Sequence, residues 1–598
     1  MSDTTLLHSG PEPDPAAAVE RPAALPAGNR LFGSDAVADA LRDLRIPYIA
    51  LNPGASYRGL HDSLVNHLGN AAPQMLLCLH EEHAVAIAQG WAKVTGTPML
   101  AAVHSNVGLF HATMAIFNAW CDRMPVIVLG ATGPVDAAKR RPWIDWIHTA
   151  QDQGAIVRPY VKWDAQPASP AAAREALFRA AWLAGTAPCG PVYVNLDAEM
   201  QEAPLAEPLP PLDPARYMPR VQAGPDPALA GKAAALLRGA AHPLILAGRV
   251  SRGEAEWVAR VRLAEALGAR VATDLKVGAA FPTDHPLHAG KPGVFPVPDT
   301  AAAIRGADVI LSLDWVDLGG TLRAACGAAS EAQVIQVSLD HVLHNGWSAD
   351  HQGLPPVDLF LAADPDATVA ALLACLPAGQ EVARAWTAPC PDPDIPLAVP
   401  HLAAALFAAV GSRPVSLLHL PLSWDGGFWP FRHPLDFLGS DGGGGIGGGP
   451  GISVGAALAL RGTGRLPVSI CGDGDFLMGV TALWTAAHYR IPLLIVVANN
   501  QSFFNDEVHQ ERMARERGRP VENKWIGQRM TDPELDLAGL ARAQGAQGFG
   551  PVKDVADLPG IFAAAIAAVD AGGVAVVDVR VAPGYTPAMA SALVRHDK

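Results

Sequence analysis

The chain of 598 residues lacks the features that mark a membrane protein or a disulfide-bonded secreted protein. No apolar run approaches the roughly 20 residues that a membrane-spanning helix requires. The seven cysteines are scattered and form no Cys-x-x-Cys pair, so we expect neither a disulfide framework nor a zinc site. The N-terminal segment has no basic stretch followed by a long apolar one, as a secretory signal would. We therefore expect a cytoplasmic protein that has no membrane partner.

Positive charge is also scarce. The sequence has 44 Lys and Arg against 58 Asp and Glu, which gives a net charge of −14 at pH 7. This balance disfavours nonspecific binding to nucleic acid or to an anionic membrane. An anionic substrate would have to be received by local basic groups or by helix dipoles. We therefore expect no nucleic acid among the partners.

Half of the residues are apolar, and strand patterns alternate with helix patterns, which is typical of α/β proteins. The chain is too long for one hydrophobic core. We predict three domains, each a parallel sheet flanked by helices, after a disordered tail rich in Pro and Ala. The predicted bounds are residues 1–29 for the tail, then 30–202, 216–378 and 400–585 for the domains. The central domain is Rossmann-like but has no Gly-x-Gly-x-x-Gly motif, so the sequence gives no support to a dinucleotide there.

The most informative segment is residues 466–500, which read as an apolar strand, a helix and a second apolar strand. Asp473 follows the first strand and Asn500 the second, and the carboxyl ends of parallel strands meet at one edge of a sheet. Their oxygens are hard donors that suit Mg²⁺. Gly472 and Gly474 let the backbone approach a phosphate. The segment predicts a metal–diphosphate site, the alternative being a plain βαβ unit with a chance Asp-Gly turn.

This segment resembles the signature of thiamine diphosphate (ThDP) enzymes, in which Gly-Asp-Gly is followed some two dozen residues later by Asn-Asn. Here 24 residues separate the two motifs. The resemblance implies that Asp473, Asn500 and the main-chain carbonyl of Ser502 hold the Mg²⁺ that binds the diphosphate of ThDP. Asp475 departs from the pattern, because the family usually has Ser at this position beside the diphosphate.

A second segment, residues 74–97, is similar to the part of these enzymes that carries the acid bonded to N1′ of the aminopyrimidine. Glu81 stands where an apolar strand passes into a helix, and the resemblance makes it the acid that activates the cofactor. The alternative is that Glu81 only caps the helix. The family draws this acid from the subunit opposite the diphosphate, which implies a homodimer or homotetramer. His80 and His83 lie three residues apart, but nothing near them in sequence completes a set of metal ligands.

Residues 440–451 are unusually rich in glycine and lead directly into a helix. A flexible linker of low complexity is one interpretation. In the enzymes that the chain resembles, a bulky apolar residue at this point bends the cofactor into a V shape. The resemblance assigns that position to Ile446.

The substrate region resembles the benzoylformate decarboxylase branch of the family. The matches are residues 102–105, 158–170 and 481–493. In that branch an active-site histidine occupies the position of His104, which implies that His104 passes protons during the reaction; the alternative is a structural histidine at a strand end. Two departures concern the pocket: Ala55 replaces a serine, and residues 314–321 offer no histidine where the branch has a second one.

The resemblance implies a ThDP- and Mg²⁺-dependent enzyme that acts on a 2-oxo acid or 2-hydroxy ketone through a C2 ylide and an enamine. A benzoylformate-type decarboxylase fits best. The alternatives are a carboligase like acetolactate synthase, for which FAD in the central domain is conceivable but unsupported, and a non-catalytic ThDP-binding protein. The substrate is not readable from the sequence. Residues 503–526 predict a helix, and the role of Asp506 near its start is left open.

Overall fold

The computed structural model describes residues 19–23, 30–221, 223–327, 330–340, 354–392 and 394–585. These residues form three sheets in which every paired strand is parallel, with helices packed around them. The predicted α/β class with three sheets is therefore confirmed. The predicted tail lies outside the described residues except for 19–23, where Glu20 Oε2 accepts a hydrogen bond from the Tyr489 hydroxyl at 3.1 Å. Within the described ranges, no helix is both long and apolar enough to cross a membrane.

The N-terminal sheet has six strands in the order β2-β1-β3-β4-β6-β5. Its strands are β1 Tyr48–Leu51, β2 Gln74–Leu77, β3 Met99–Val103, β4 Val126–Thr132, β5 Asp164–Ala165 and β6 Val192–Asp197. The helices of this part of the chain are α1 Gly33–Asp43, α2 Arg58–Asp62, α3 Glu81–Thr95, α4 Ser105–Asp122, α5 Ile144–Ile147, α6 Pro170–Gly185 and α7 Ala198–Glu202. A short helix, α8 Pro214–Tyr217, follows in the Pro-rich stretch before the central sheet.

The central sheet has five strands in the order β11-β10-β9-β7-β8. Its strands are β7 Pro243–Ala247, β8 Arg270–Ala272, β9 Val309–Leu313, β10 Gln333–Val337 and β11 Leu359–Leu361. The helices around it are α9 Pro227–Gly239, α10 Glu254–Leu267, α11 Pro298–Gly306, α12 Leu318–Cys326 and α13 Pro365–Leu373. Several of these helices start with Pro just inside the first turn, where its missing N–H costs no hydrogen bond.

The C-terminal sheet has five strands in the order β12-β13-β14-β16-β15. Its strands are β12 Val415–His419, β13 Leu466–Gly472, β14 Leu493–Asn499, β15 Gln547–Val552 and β16 Val574–Arg580. The helices are α14 Val399–Val410, α15 Gly448–Ala459, α16 Asp473–Gly479, α17 Ala482–His488, α18 Phe504–Glu516, α19 Leu537–Ala543 and α20 Leu558–Asp570. The segment after Asn500 thus contains a helix, α18, as the sequence predicts.

Strands β13 and β14 lie in the middle of the C-terminal sheet, and nearly every side chain on them is buried. Both faces of a parallel sheet are covered by helices, so its central strands read as continuous apolar runs rather than alternating patterns. Gly472 at the end of β13 pairs with Ala498 near the end of β14. The residues that follow the two strands therefore emerge side by side.

Helix α3 of the N-terminal domain packs directly on α15 of the C-terminal domain. The backbones approach so closely that a Cβ on Gly90 would collide with the carbonyl of Ile452, and a Cβ on Gly455 with that of Ile87. Larger residues at either glycine would force the two helices apart. This contact ties the helix that begins at Glu81 to the helix that follows the glycine-rich segment.

Candidate active site

Asp473 and Asn500 converge on one backbone amide. Asp473 Oδ2 accepts a hydrogen bond from the Ser502 N–H at 3.2 Å, and Asn500 Oδ1 accepts from the same group at 2.9 Å. Gln501, which lies between Asn500 and Ser502, has a positive φ of 59°, so the chain turns sharply there. The three residues that the ThDP resemblance assigns to the metal are therefore neighbours in the structure.

Ser502 is held in place by Glu507, an acid that no sequence motif singled out. Its hydroxyl donates to Glu507 Oε1 at 2.6 Å, and Arg529 Nε donates to the same carboxylate at 2.8 Å. Glu507 is buried, whereas the neighbouring Asp506 is exposed. Of the two acids at the start of α18, Glu507 therefore supports the site and Asp506 lies at the surface.

The chemistry of these donors fits a magnesium ion. Burial raises the pKa of Asp473, although the amides of Gly474 and Ser502 donate hydrogen bonds to it. A divalent cation beside the carboxylate would restore its ionised form. A carboxylate, an amide oxygen and a main-chain carbonyl are all hard oxygen ligands of the kind that Mg²⁺ prefers. The residues present would thus hold Mg²⁺ together with a diphosphate.

Asp475 reaches across to the start of helix α15. Its Oδ1 accepts hydrogen bonds from the amides of Gly447 (2.7 Å) and Gly449 (3.2 Å), and its Oδ2 lies 3.3 Å from His419 Nε2. Burial alone would raise the pKa of Asp475, but the charge of His419 lowers it below the usual range. Burial likewise opposes the charge on His419, yet Asp475 raises the pKa of that histidine. The carboxylate that replaces the family's serine therefore anchors the end of the glycine-rich segment.

The rest of the glycine-rich segment rests on helices α3 and α4. The amide of Gly443 donates to Asn118 Oδ1 at 3.1 Å, and Lys93 Nζ donates to the carbonyl of Ser440 at 2.6 Å. These bonds, with those to Asp475, fix both ends of the segment and disfavour the flexible-linker interpretation. Ile446 lies between them with 45% of its surface exposed, so an apolar side chain is presented outward from an anchored loop.

Glu81 begins helix α3 at the carboxyl end of β2, and only 9% of its side chain is exposed. Its Oε2 lies 2.9 Å from Nδ1 of His111, which projects from α4. Gly108, one turn earlier on α4, leaves space for the acid, since a Cβ there would lie 3.0 Å from Glu81 Oε1. His80 caps the helix through its Nδ1, which accepts from the amide of Glu82 at 3.2 Å. Glu81 is thus a nearly buried acid held by one histidine.

His104 lies at the carboxyl end of β3, immediately before α4. Its Nδ1 accepts a hydrogen bond from the amide of Ser56 at 3.4 Å and lies 2.9 Å from the Ser56 hydroxyl. An amide can only donate, so the neutral ring carries its proton on Nε2. Ser56 follows Ala55 directly and supplies a hydroxyl next to the position where the expected serine is missing. A Cβ on Gly54 would collide with the His104 ring, so this glycine is required for the contact.

Burial lowers the pKa of His104, and the nearby ring of His148 lowers it further, whereas the charge of Glu81 acts in the opposite direction. The His104 and His148 rings lie 4.7 Å apart in an edge-to-face arrangement. The charge of Glu81 thus acts on His104, and these are the two residues that the sequence predicts to handle protons. His111 and His148 are additions that the sequence did not suggest.

The central domain joins several of its own residues at the position where a doubly wound sheet binds dinucleotides. That position is the crevice beyond the carboxyl ends of β7 and β9, where the strand order changes direction. There a Cβ on Gly248 would collide with the carbonyl of Asp314, Arg249 forms an ion pair with Asp340 at 3.1 Å, and the Ser338 hydroxyl donates to Asp314 Oδ1 at 2.6 Å. The described residues at this edge of the sheet therefore bond to one another.

Three family models match the chain. They are described as thiamine pyrophosphate enzyme, N-terminal TPP binding domain, over residues 32–156; the central domain, over 230–372; and the C-terminal TPP binding domain, over 423–579. Together they cover more than half of the sequence. Thiamine pyrophosphate is another name for ThDP.

Relatives and solved structures agree with this assignment. A probable acetolactate synthase large subunit of Methanocaldococcus jannaschii is 26% identical over 86% of each chain. Benzoylformate decarboxylase of Pseudomonas aeruginosa is 26% identical over 72% of this chain and 79% of its own. The crystal structure of benzoylformate decarboxylase from Polynucleobacter necessarius shares the fold, with a TM-score of 0.76 at 22% identity over 93% of this chain and 99% of its own. With its three matched domains, the chain belongs to the thiamine pyrophosphate-dependent enzymes, the family that includes 2-oxo acid decarboxylases and acetolactate synthases.

Proposed function

We propose that this enzyme uses ThDP and Mg²⁺ to decarboxylate a 2-oxo acid, in the manner of a benzoylformate-type decarboxylase. The observation that carries the proposal is the placement of Glu81 and His104 after β2 and β3, the two strands that flank β1 at the same edge of the sheet. Glu81 is held by His111, and Ser56 donates to Nδ1 of His104, which leaves the Nε2–H of that ring to donate to a substrate. A flavin-dependent carboligase is the second candidate, but the central domain has no Gly-x-Gly-x-x-Gly motif that would support a flavin.

Asp473, Asn500 and the carbonyl of Ser502 would hold the metal, and the metal would hold the diphosphate. When bound, ThDP supplies a carbon nucleophile and accepts the electrons released as CO₂ leaves. Glu81 would bond to the aminopyrimidine and keep it in the tautomer that activates that carbon. Ile446 would contact the cofactor and support its bent shape, because an anchored loop presents this apolar side chain outward.

His104 would move the protons at the substrate. In its neutral form it carries a proton on Nε2, and because its pKa is lowered it stays neutral to a lower pH than an ordinary histidine. The Nε2–H of the neutral ring can donate to the substrate's carbonyl oxygen and share its proton with that oxygen as negative charge develops there. Ser56, whose amide donates to Nδ1, keeps the ring in the tautomer that carries this proton.

We also propose a cytoplasmic homodimer or homotetramer. Several large apolar side chains near the site are exposed in the single chain, namely Leu79, Phe110, Ile446 and Met478. Exposed apolar surface of this kind is typical of interfaces. Light scattering coupled to size-exclusion chromatography should give a mass of two or four chains of 62.3 kDa; a monomer that is fully active would contradict this assembly.

The experiment that tests the function is incubation of the holoenzyme with a panel of aromatic and aliphatic 2-oxo acids, with and without aldehyde acceptors. CO₂ release and the organic products would be measured together, without added flavin. We expect CO₂ and the corresponding aldehyde from at least one acid. Acetolactate formed from pyruvate only after FAD is added would favour the carboligase instead. Normal ThDP binding without faster exchange of the cofactor's C2 proton would favour a non-catalytic binding protein.

A further inference from the structure

Three metal-binding side chains meet at the start of helix α3. His80, Glu81 and His111 each offer one ligand atom, and the three atoms lie within 4.8 Å of one another. Among the described ranges of the chain this is the one such group of histidine, cysteine and acidic residues. The His80 and His111 rings stack with their centroids 5.0 Å apart, which keeps the two imidazoles side by side next to Glu81.

The composition of this group matches a transition-metal site. Two histidines and one glutamate form a common set of protein ligands for zinc, with a fourth position open to water. Imidazole also suits Cu²⁺, Ni²⁺ and Co²⁺, whereas Mg²⁺ prefers an all-oxygen site. The group is therefore chemically distinct from the set of Asp473, Asn500 and Ser502.

A metal ion at this group would replace existing hydrogen bonds of the ligands. His111 is half exposed and already lies 2.9 Å from Glu81 through its Nδ1, so a metal ion would replace the proton that the two groups share. His80 holds its Nδ1 on the amide of Glu82 by a bond of 3.2 Å, which coordination would replace. His83, by contrast, is buried and bonded to the Thr481 hydroxyl at 2.8 Å, so it does not belong to the group.

We propose that His80, Glu81 and His111 form an inhibitory site for a borderline divalent metal ion, with Zn²⁺ as the representative. A metal ion on Glu81 occupies the carboxylate that the cofactor needs, so metal and ThDP would exclude each other. The inhibitory part rests on the proposed function, in which Glu81 activates the cofactor. The binding part rests only on the three side chains.

Binding is tested first, on metal-free full-length protein without ThDP, by calorimetric titration with Zn²⁺ alone. We expect one Zn²⁺ per chain in the wild type and at least a tenfold loss of affinity in both His80→Asn and His111→Asn. His61→Asn, which removes an exposed histidine from α2, is the matched control and should bind as the wild type does. Asp473→Ala should also retain the Zn²⁺, because its change lies in the magnesium site.

Equal Zn²⁺ affinity in the wild type, His80→Asn and His111→Asn would overturn the site, as would an ion that is lost only in Asp473→Ala. Failure of the wild type to bind Zn²⁺ would also overturn it and would leave His111 as a partner that only orients Glu81. Saturation with ThDP and Mg²⁺ should weaken Zn²⁺ binding at least tenfold; unchanged binding would refute the inhibitory part. Turnover without Zn²⁺ tests the proposed function separately, so a protein that binds Zn²⁺ but releases no CO₂ would refute that function and keep the metal site.

Discussion

Asp473 and Glu81 are both acids at the carboxyl end of a buried parallel strand, but different kinds of partner hold them. Asp473 receives backbone amides from Gly474 and Ser502, which lie within the motif or just after the next strand. Glu81 is held by the side chain of His111, which comes from another helix 30 residues later in the chain.

This difference has a consequence for each end of the site. The bonds at Asp473 come from backbone amides of the strand–helix–strand unit itself. The environment of Glu81 depends on particular side chains, among them His80 and His111, and on the space left by Gly108. The proposed diphosphate end is thus held by main-chain groups close in sequence, whereas the end proposed to handle protons is held by side chains from another helix.

The largest effect is expected at the diphosphate end. Asp473→Ala removes a proposed direct metal ligand, and loss of an outer-sphere partner alone commonly costs 10- to roughly 100-fold in metal affinity. We expect ThDP affinity in the presence of Mg²⁺, measured by calorimetry, to fall by more than about 100-fold. Asp506→Ala, at an exposed acid nearby, is the control and should bind normally. Unchanged affinity in Asp473→Ala would remove Asp473 from the metal site.

Glu81→Gln should separate the two ends. It leaves the proposed diphosphate site unchanged, so ThDP binding should persist, but it removes the acid that we propose activates the cofactor. We expect kcat to fall by about 10² to 10⁴-fold, the range typical of a lost general acid or base. The control is Glu82→Gln on the same helix turn. Exchange of the C2 proton, followed by NMR, should be slow only in Glu81→Gln, and full activity there would refute the assigned role.

Asp475→Asn tests the buried pair of Asp475 and His419 beside the glycine-rich segment. Removing the acid leaves His419 without its partner, and breaking a buried pair in this way typically costs about 3 kcal/mol. The pKa of Asp475 is lowered and that of His419 is raised, so the pair stabilises the fold above the ordinary carboxyl pKa and below the raised pKa of His419. The stability lost, measured by thermal unfolding, should therefore be larger at mildly acidic than at alkaline pH. An equal loss at both would indicate that the ion pair is not responsible.

The smallest effect concerns His148, which contacts His104. Because the charge of His148 lowers the pKa of His104, His148→Asn should raise it. Activity that needs neutral His104 is lost as the pH falls through this pKa, so the acidic limb of the kcat/KM profile should move to higher pH. His61→Asn should leave the limb in place. A limb that stays put or moves to lower pH in His148→Asn would show that His104 does not control it.

The sequence allowed much of the fold and one end of the site to be predicted. Continuous apolar runs identified strands such as β13 and β14, and the Gly-Asp-Gly and Asn-Asn motifs lie where those strands end. Glu81 could be identified for the same reason, since the turn from β2 into α3 is local. In each case the residues that matter are close in sequence to the element that positions them.

Long-range contacts could not be predicted in this way. In the sequence, the spacing of His80 and His83 raised the question of a metal site, but no further ligand lay near them. In the structure His83 bonds Thr481 instead, and His111 lies beside Glu81. In the same way, His419 at the end of strand β12 lies beside Asp475 on helix α16, although the two are 56 residues apart in the chain. No periodic pattern in the sequence indicates either pair, because the two partners lie on different helices or strands.

The amino-acid sequence by itself determined the α/β class, the cofactor family and the acids at the ends of β2 and β13. The strand ends follow from local patterns, because hydrophobic runs and glycine-containing turns specify where a strand ends and which side chain stands there. The cofactor family and the choice of these acids follow from the resemblance of their motifs to those of ThDP enzymes. Only the tertiary structure decided that the glycine-rich segment is anchored by Asp475 and that His80 and His111 lie beside Glu81. Those features depend on how helices from different parts of the chain pack together, and that packing is recorded in no single stretch of sequence.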